Sequence, residues 1–213
     1  GAIILGNTLH IDKEFETITQ AIRAADLPAV CIGHKLEGIS CIECDNYAGM
    51  YELALHLVEG HGFRDILFIS GPRDNQESNL RKQALIDALE KNGATLKAEN
   101  IICGDWNYYD AQTNLMRWLE EHGRRLPEAI VCANDVMAMG SYVALAKNGY
   151  SDYKNVIVTG FDDLVSGYIF SPGITSVNPG YQEMAEAAMH HLMDCMENGN
   201  HLIHKTVQSK VSL

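Results

Sequence analysis

Two stretches decide the fold: Ala129-Ile130-Val131-Cys132-Ala133-Asn134-Asp135-Val136-Met137-Ala138-Met139-Gly140 and Val156-Ile157-Val158-Thr159-Gly160-Phe161-Asp162-Asp163. Each is a short apolar run that stops abruptly in amides and carboxylates. A helical pattern separates them, so the two runs read as successive parallel strands with polar side chains at their carboxyl ends. Open α/β sheets hold small molecules at that edge. The pattern announces a ligand crevice before it announces any chemistry.

Working outward, strand-like and helix-like segments alternate along the whole chain, which predicts an α/β class with a mainly parallel sheet. Further strands are expected at Ala2 to Leu5, Ala29 to Ile32, Ile66 to Ser70 and Ile101 to Cys103, short and apolar as strands covered on both faces should be. Five helices follow from apolar residues at helical spacing. The first runs from Asn46 through Met50, Leu53, Ala54, Leu57 and Val58, capped by Asp45 or Asn46 and ended by Gly60. The others run Leu80 to Leu89, closed by Asn92-Gly93; Ala111 to Glu121; Val136 to Ala146, stopping at Asn148-Gly149; and Tyr181 to Met196, stopping at Gly199. The tail from Lys205 to Leu213 alternates Val207, Ser209, Val211 and Leu213, which predicts one half-exposed strand.

Composition narrows the function. The chain has 213 residues, enough for one large domain or two small lobes, with 46% hydrophobic and 21% charged residues. Its 16 basic residues against 28 acidic ones give a formal charge of −12. Phosphate neutralisation needs clustered Lys and Arg, so nucleic-acid binding by this segment is not expected. No apolar run approaches the roughly 18 residues of a membrane span, and Gly1 to Gly6 lacks the basic flank of a signal peptide. The six cysteines lie mostly inside apolar runs and read as buried, reduced thiols of a cytoplasmic protein.

Enzyme signatures are missing. The sequence has no glycine-rich phosphate loop, no G-x-S-x-G elbow and no nucleophile with an identifiable base. Asp162 and Asp163 are adjacent and cannot flank a glycosidic bond. Cys41-Ile42-Glu43-Cys44 is a C-x-x-C, but a lone pair is half of a tetrahedral zinc site, and a redox pair would open a helix rather than lie on a strand. The nine histidines, His190-His191, His201 and His204 among them, read as surface residues. No cofactor and no metal is expected.

A set of motifs then appears in order along nearly the full chain. It comprises Asp45-Asn46, His56-Leu57-Val58-Glu59-Gly60-His61-Gly62, Phe68-Ile69-Ser70-Gly71-Pro72, Arg81, Gly104-Asp105-Trp106, the Cys132 to Gly140 segment, Gly160-Phe161-Asp162-Asp163 and Pro172-Gly173-Ile174-Thr175-Ser176-Val177. Together they resemble the effector-binding core of LacI/GalR-type transcription regulators. The resemblance implies an α/β, two-lobed, periplasmic-binding-protein-like fold with parallel sheets flanked by helices. Residues 1–45 and 178–200 would form a partial N-terminal lobe, and residues 46–177 and 201–213 the C-terminal lobe. The family's helix-turn-helix, hinge helix and first two βα units have no counterpart in these residues, so the N-terminal lobe is expected to be incomplete.

The resemblance also implies a site. Arg81 would reach ligand hydroxyls or a carboxylate; from periodicity alone it reads as a solvated arginine. Asp162 would accept hydrogen bonds from sugar hydroxyls or ring nitrogens, with Asp163 capping the next helix. Asn134 would add an amide, and Asp135 would serve as an N-cap. Trp106 and Tyr181 would flank the ligand with flat faces, although each, like Trp118, could simply cover core. The expected effector is a small polar molecule, a sugar ahead of a nucleoside or purine, bound between the lobes of a homodimer. It would favour a closed arrangement and so control DNA binding by a domain outside this chain. A signalling or transport receptor of the same fold is the alternative output.

Overall fold

A computed structural model describes residues 1–6, 13–150, 156–169 and 173–212; Pro172 and Leu213, named above, lie outside the described residues. The chain divides into two compact units. The first comprises Gly1–Asp45 with Gly180–Gln208, and the second Asn46–Pro179 with Ser209–Leu213.

In the first unit, strands β1 (Ala2–Leu5), β2 (Ala29–Ile32), β3 (Ser40–Cys44) and β9 (His204–Val207) form a sheet in the order β1-β2-β3-β9. Every pairing in it is parallel. Helix α1 (Lys13–Ala24) connects β1 to β2, and helix α6 (Tyr181–Asn198) packs on β2 and β3. Val30, Cys31, Cys41 and Ile42 are buried along the two inner strands, as a sheet with covered faces requires. Helix α1 was not among the helices expected from the sequence, although Phe15, Ile18 and Ile22 recur at helical spacing.

The second unit holds a sheet of β4 (Ile66–Ser70), β5 (Ile101–Cys103), β6 (Ala129–Cys132) and β7 (Ile157–Thr159), ordered β5-β4-β6-β7 and wholly parallel. Helices α2 (Asn46–Leu55), α3 (Gln76–Lys91), α4 (Tyr108–Glu121) and α5 (Asp135–Lys147) flank it, α2 packing on α3 and α4 on α5. The direction of winding reverses after β5. Right-handed crossovers therefore place α3 on one face and α4 and α5 on the other. The reversal opens a switch point between the carboxyl ends of β4 and β6. Ile66, Leu67, Phe68, Ile69, Ile130 and Val131 are buried almost completely between the helix layers, with Leu85, Leu89 and Leu115 above and below them. Trp118 is core, 3% exposed, and its indole N–H donates to Glu99 O at 2.8 Å.

Four sequence expectations change here. The single final strand becomes two: β9 joins the first unit's sheet, while β10 (Lys210–Ser212) pairs antiparallel with β8 (Ser176–Asn178) in the second. Residues 201–208 consequently lie with the first unit, not the second. Helix α2 does not run regularly to Gly60 but loosens at His56–Gly60 into a wide π-turn, with Arg64 donating to the Val58 carbonyl. His191 is not a surface residue: it is 6% exposed, and burial first, then the neighbouring His201, hold its imidazole below the usual range.

All six cysteines carry free thiols. Burial pushes Cys31 up to about 11 and both Cys41 and Cys132 up to about 12. A redox cysteine needs the opposite shift. Cys41 and Cys44 both lie on β3, not at a helix N-terminus. Among the described residues no helix is long and apolar enough to cross a membrane.

Candidate functional site in the second unit

Each strand of the second sheet delivers a polar group just past its carboxyl end. Trp106 follows β5, Asn134 follows β6, and Asp162 follows β7; Arg81 projects from the second turn of α3, the helix that follows β4. The structure gathers these four. Tyr181 belongs to the first unit, where it opens α6 with its side chain half-exposed.

Arg81 organises the group. It is 4% exposed, so it is not a solvated arginine on a polar helix face. Its Nε donates to Asn46 Oδ1 at 2.8 Å and its Nη1 to the Ala133 carbonyl at 2.6 Å. Glu77 and Asp162 stand 3.7 and 3.8 Å from its terminal nitrogens, ion pairs too long to be hydrogen bonds. The guanidinium plane lies 3.7 Å over the Phe161 ring and 5.4 Å from the Trp106 ring. A buried cation persists only where it is paired and its donors are met. Here carboxylates, carbonyl and π-faces share that task, and the segments leaving β6 at Ala133 and β7 at Asp162 are tied to one another through it.

The loops carrying these groups are strained. Asp105 and Trp106 have φ of 51° and 58°, and Asp162 and Asp163 have 108° and 52°. Left-handed backbone costs a non-glycine residue on the order of 1–3 kcal/mol and collects at functional sites. Two glycines make the loops possible by close approach. A Cβ on Gly71 would sit 2.5 Å from the Trp106 ring, and one on Gly160 would sit 2.0 Å from Asp135 Oδ1.

The cap expected at Asp135, after β6, is supplied by Asn134 instead. Asn134 is the N-cap of α5, its Oδ1 accepting from Met137 N at 2.9 Å, so its amide nitrogen is the part left for a ligand. Asp135 is not the cap. It is 1% exposed, with Oδ1 accepting from Ser176 Oγ at 2.7 Å and Oδ2 from Leu164 N at 2.7 Å. Its own backbone N–H donates to the Phe161 carbonyl at 2.8 Å. Asp135 thereby fastens the Phe161–Leu164 loop, and Asp162 with it, to β6 and β8. Burial pushes its carboxyl up to about 6, the bonds to Ser176 and Leu164 opposing and the nearby Asp162 and Asp163 charges adding. Sequence reasoning missed this residue as a positioning group; the glycine at 160, which only its side chain demands, was the available signal. Asp163 Oδ2 accepts from Asn178 Nδ2 at 2.9 Å, and its N–H donates to Ser176 Oγ at 3.0 Å.

A parallel sheet with a switch point, and a cation, an acceptor carboxylate, an amide and an aromatic face gathered outside its carboxyl edge, is the architecture of a small-molecule-binding domain of the periplasmic-binding-protein type. The sequence agrees with that class. Residues 54–213 match the profile of the periplasmic binding protein-like domain family, and the chain belongs to that family. It is 29% identical over 152 residues to the HTH-type transcriptional repressor PurR of Proteus mirabilis, covering 71% of this chain and 44% of that protein. It is 27% identical over 198 residues to the HTH-type transcriptional regulator AscG of Escherichia coli, covering 92% of this chain and 58% of the relative. Among solved structures, a complex of the transcriptional regulator CelR with cellobiose superposes with a TM-score of 0.83 at 25% identity, over 100% of this chain and 64% of that one. The chain thus spans about half the length of the curated relatives it matches.

Proposed function

We propose that this chain is the effector-sensing part of a LacI-type transcriptional regulator and binds a small polar ligand, a sugar, at the carboxyl edge of the second unit's sheet. The observation that carries the reading is the placement of Asp162. A buried arginine and a fastened loop hold it 18% exposed, and the half-buried Trp106 ring lies 5.4 Å from the same guanidinium. A carboxylate accepts from adjacent hydroxyls, an indole face covers sugar C–H surface, and the Asn134 amide donates. The resemblance to a cellobiose-bound regulator supports the same ligand class. Arg81 orients these groups.

Binding rather than catalysis is the expected chemistry. Asp135, the buried carboxyl with the raised pKa, is occupied on both oxygens by Ser176 and Leu164 and has a positioning role. Relatives named as HTH-type regulators support an output on DNA through a helix-turn-helix domain. A cytoplasmic homodimer is part of the same proposal. A ligand moves that output only by binding two conformations with different affinity.

The test is a thermal-shift screen with monosaccharides, disaccharides, sugar phosphates, nucleosides and purines. A ligand at 100 times its dissociation constant adds about 2.7 kcal/mol to the folded state. Asp162→Asn is expected to weaken a sugar hit about 10- to 100-fold, the worth of charge-assisted hydrogen bonds. A hit confined to nucleosides or purines would replace the sugar; a sugar hit indifferent to Asp162→Asn would move the site.

A further inference from the structure

The first unit holds a cluster that the sensing reading does not use. Helix α6 carries His191 and Cys195 one turn apart on the same face, and after the chain turns at Gly199, His201 comes back beside them. Cys195 Sγ lies 3.5 Å from His191 Nε2 and 3.8 Å from His201 Nδ1. The two imidazole rings meet edge to face with centroids 5.0 Å apart. One ligand atom from each of the three residues falls within 4.8 Å of the others.

These spacings are those of a coordination sphere. With sulfur about 2.3 Å and imidazole nitrogen about 2.0 Å from a tetrahedral zinc ion, sulfur and nitrogen stand about 3.5 Å apart. The outer contacts fit as well. His201 turns its Nε2 to Asp194 Oδ2 at 3.2 Å, a carboxylate that takes the N–H when Nδ1 coordinates; on binding, Nδ1 exchanges its 3.3 Å contact with the Gly199 carbonyl for the ion beside the sulfur. Ser40 Oγ sits 2.7 Å from His191 Nε2 and accepts from Ile203 N at 3.1 Å, which fixes the ring from the strand side. His191 Nδ1 is 3.9 Å from Cys195 Sγ, so it can coordinate while Ser40 keeps Nε2; with Nε2 on the ion, the hydroxyl turns to the His201 carbonyl 3.4 Å away. Cys195, His201, Asn200 and Asp26 line a cavity of about 220 Å³, which supplies an entry path and room for a water as fourth ligand.

We propose that His191, Cys195 and His201 form a zinc site with Asp194 and Ser40 as its outer partners. One thiolate and two imidazoles suit zinc, whereas calcium and magnesium take oxygen ligands. Binding ionises the Cys195 thiol and releases its proton to solvent. The ion joins the C-terminal end of α6 to the loop leading into β9 and, through Ser40, to the start of β3.

The reduced, chelator-treated chain is titrated with zinc chloride against a chromophoric chelator, and in parallel with cobalt chloride. One equivalent per chain is expected, with a near-ultraviolet thiolate-to-cobalt band and one proton released. Cys195→Ser removes the band. His201→Ala, at a half-exposed position the fold tolerates, weakens zinc at least 10-fold, and Asp194→Asn weakens it about 10-fold, within the range of outer-partner mutations. Cys41→Ser serves as the control, because Cys41, Glu43 and His204 form the other group of similar spacing among the described residues. That variant is expected to bind as the parent does. Absence of stoichiometric uptake, or unchanged uptake by His201→Ala and Cys195→Ser, overturns the proposal, as does a loss that follows Cys41→Ser instead.

Discussion

The two units share one plan, a four-stranded parallel sheet covered by helices, yet they concentrate polar side chains at opposite strand ends. In the second unit the cation, carboxylates and amide stand past the carboxyl ends of β4 to β7. In the first unit Ser40 begins β3, His201 precedes β9, and the His191–Cys195 pair is near the end of α6. The donor chemistry differs accordingly. The carboxyl edge offers hard, hydrogen-bonding groups, held in strained loops, that suit a ligand exchanged with solvent. The amino edge offers soft ligands braced by short hydrogen bonds, which suit an ion that stays. The comparison teaches that a parallel sheet can be polar at both edges with separate purposes, and that the identity of the side chains discriminates between them.

The largest effect that can break this contrast comes from Arg81. Arg81→Ala leaves Asn46, Glu77 and the Ala133 carbonyl without their shared partner, and removing one member of a buried ionic network costs about 3–5 kcal/mol. Urea unfolding is expected to show that loss. A change below about 1 kcal/mol would mean that solvent reaches this edge freely, erasing the difference in rigidity between the two polar ends.

Next comes the pH dependence that Asp135 imposes. Its folded pKa of about 6 lies above the usual carboxyl value, so between about 4 and 6 the folded chain binds a proton that the unfolded chain has lost. The associated stabilisation is complete below the unfolded pKa and disappears as pH rises through about 6. A carboxyl raised that far contributes roughly 2–3 kcal/mol at the acidic end of the window. Asp135→Asn is expected to flatten the parent's fall in melting temperature over that window. The substitution also costs a constant amount, because an amide cannot accept from both Ser176 Oγ and Leu164 N in the present geometry. A parent and variant with parallel pH profiles would refute the buried-proton account.

Much of this was legible in the sequence, for identifiable reasons. The second unit's strands and helices are apolar runs and stripes bounded by glycine and asparagine, so periodicity found them within a few residues. Arg81, Trp106, Asn134 and Asp162 were named through the family resemblance, since periodicity alone reads Arg81 as solvated; the structure brings them to one edge of the second sheet. The role of Asp135 was not legible, since an aspartate after a strand and before a helix caps helices far more often than it crosses to Ser176, 41 residues on. The first unit was harder. The apolar stripe of α1 is only three residues, Phe15, Ile18 and Ile22, β3 is a five-residue strand containing a glutamate, and the tail's alternation concealed a break between Val207 and Lys210. His191 looked like one half of an exposed histidine pair, although adjacent helical positions differ by about 100° and only one of the two need be buried.

The smallest effect sharpens the amino-edge half of the comparison. Ser40→Ala removes the hydroxyl that meets His191 Nε2 and receives the Ile203 amide. Leaving buried partners without a bond costs about 1–2 kcal/mol, less than the Arg81 loss because no charge is stranded. Hydrogen exchange locates the effect: the Ile203 amide is expected to lose protection, while the Ala133 amide, bonded to the Ile69 carbonyl at 2.8 Å, keeps its own. Retained protection at Ile203 would show that strand pairing alone fixes the loop before β9. The Ser40 hydroxyl would then be a consequence of the cluster's geometry and not one of its causes.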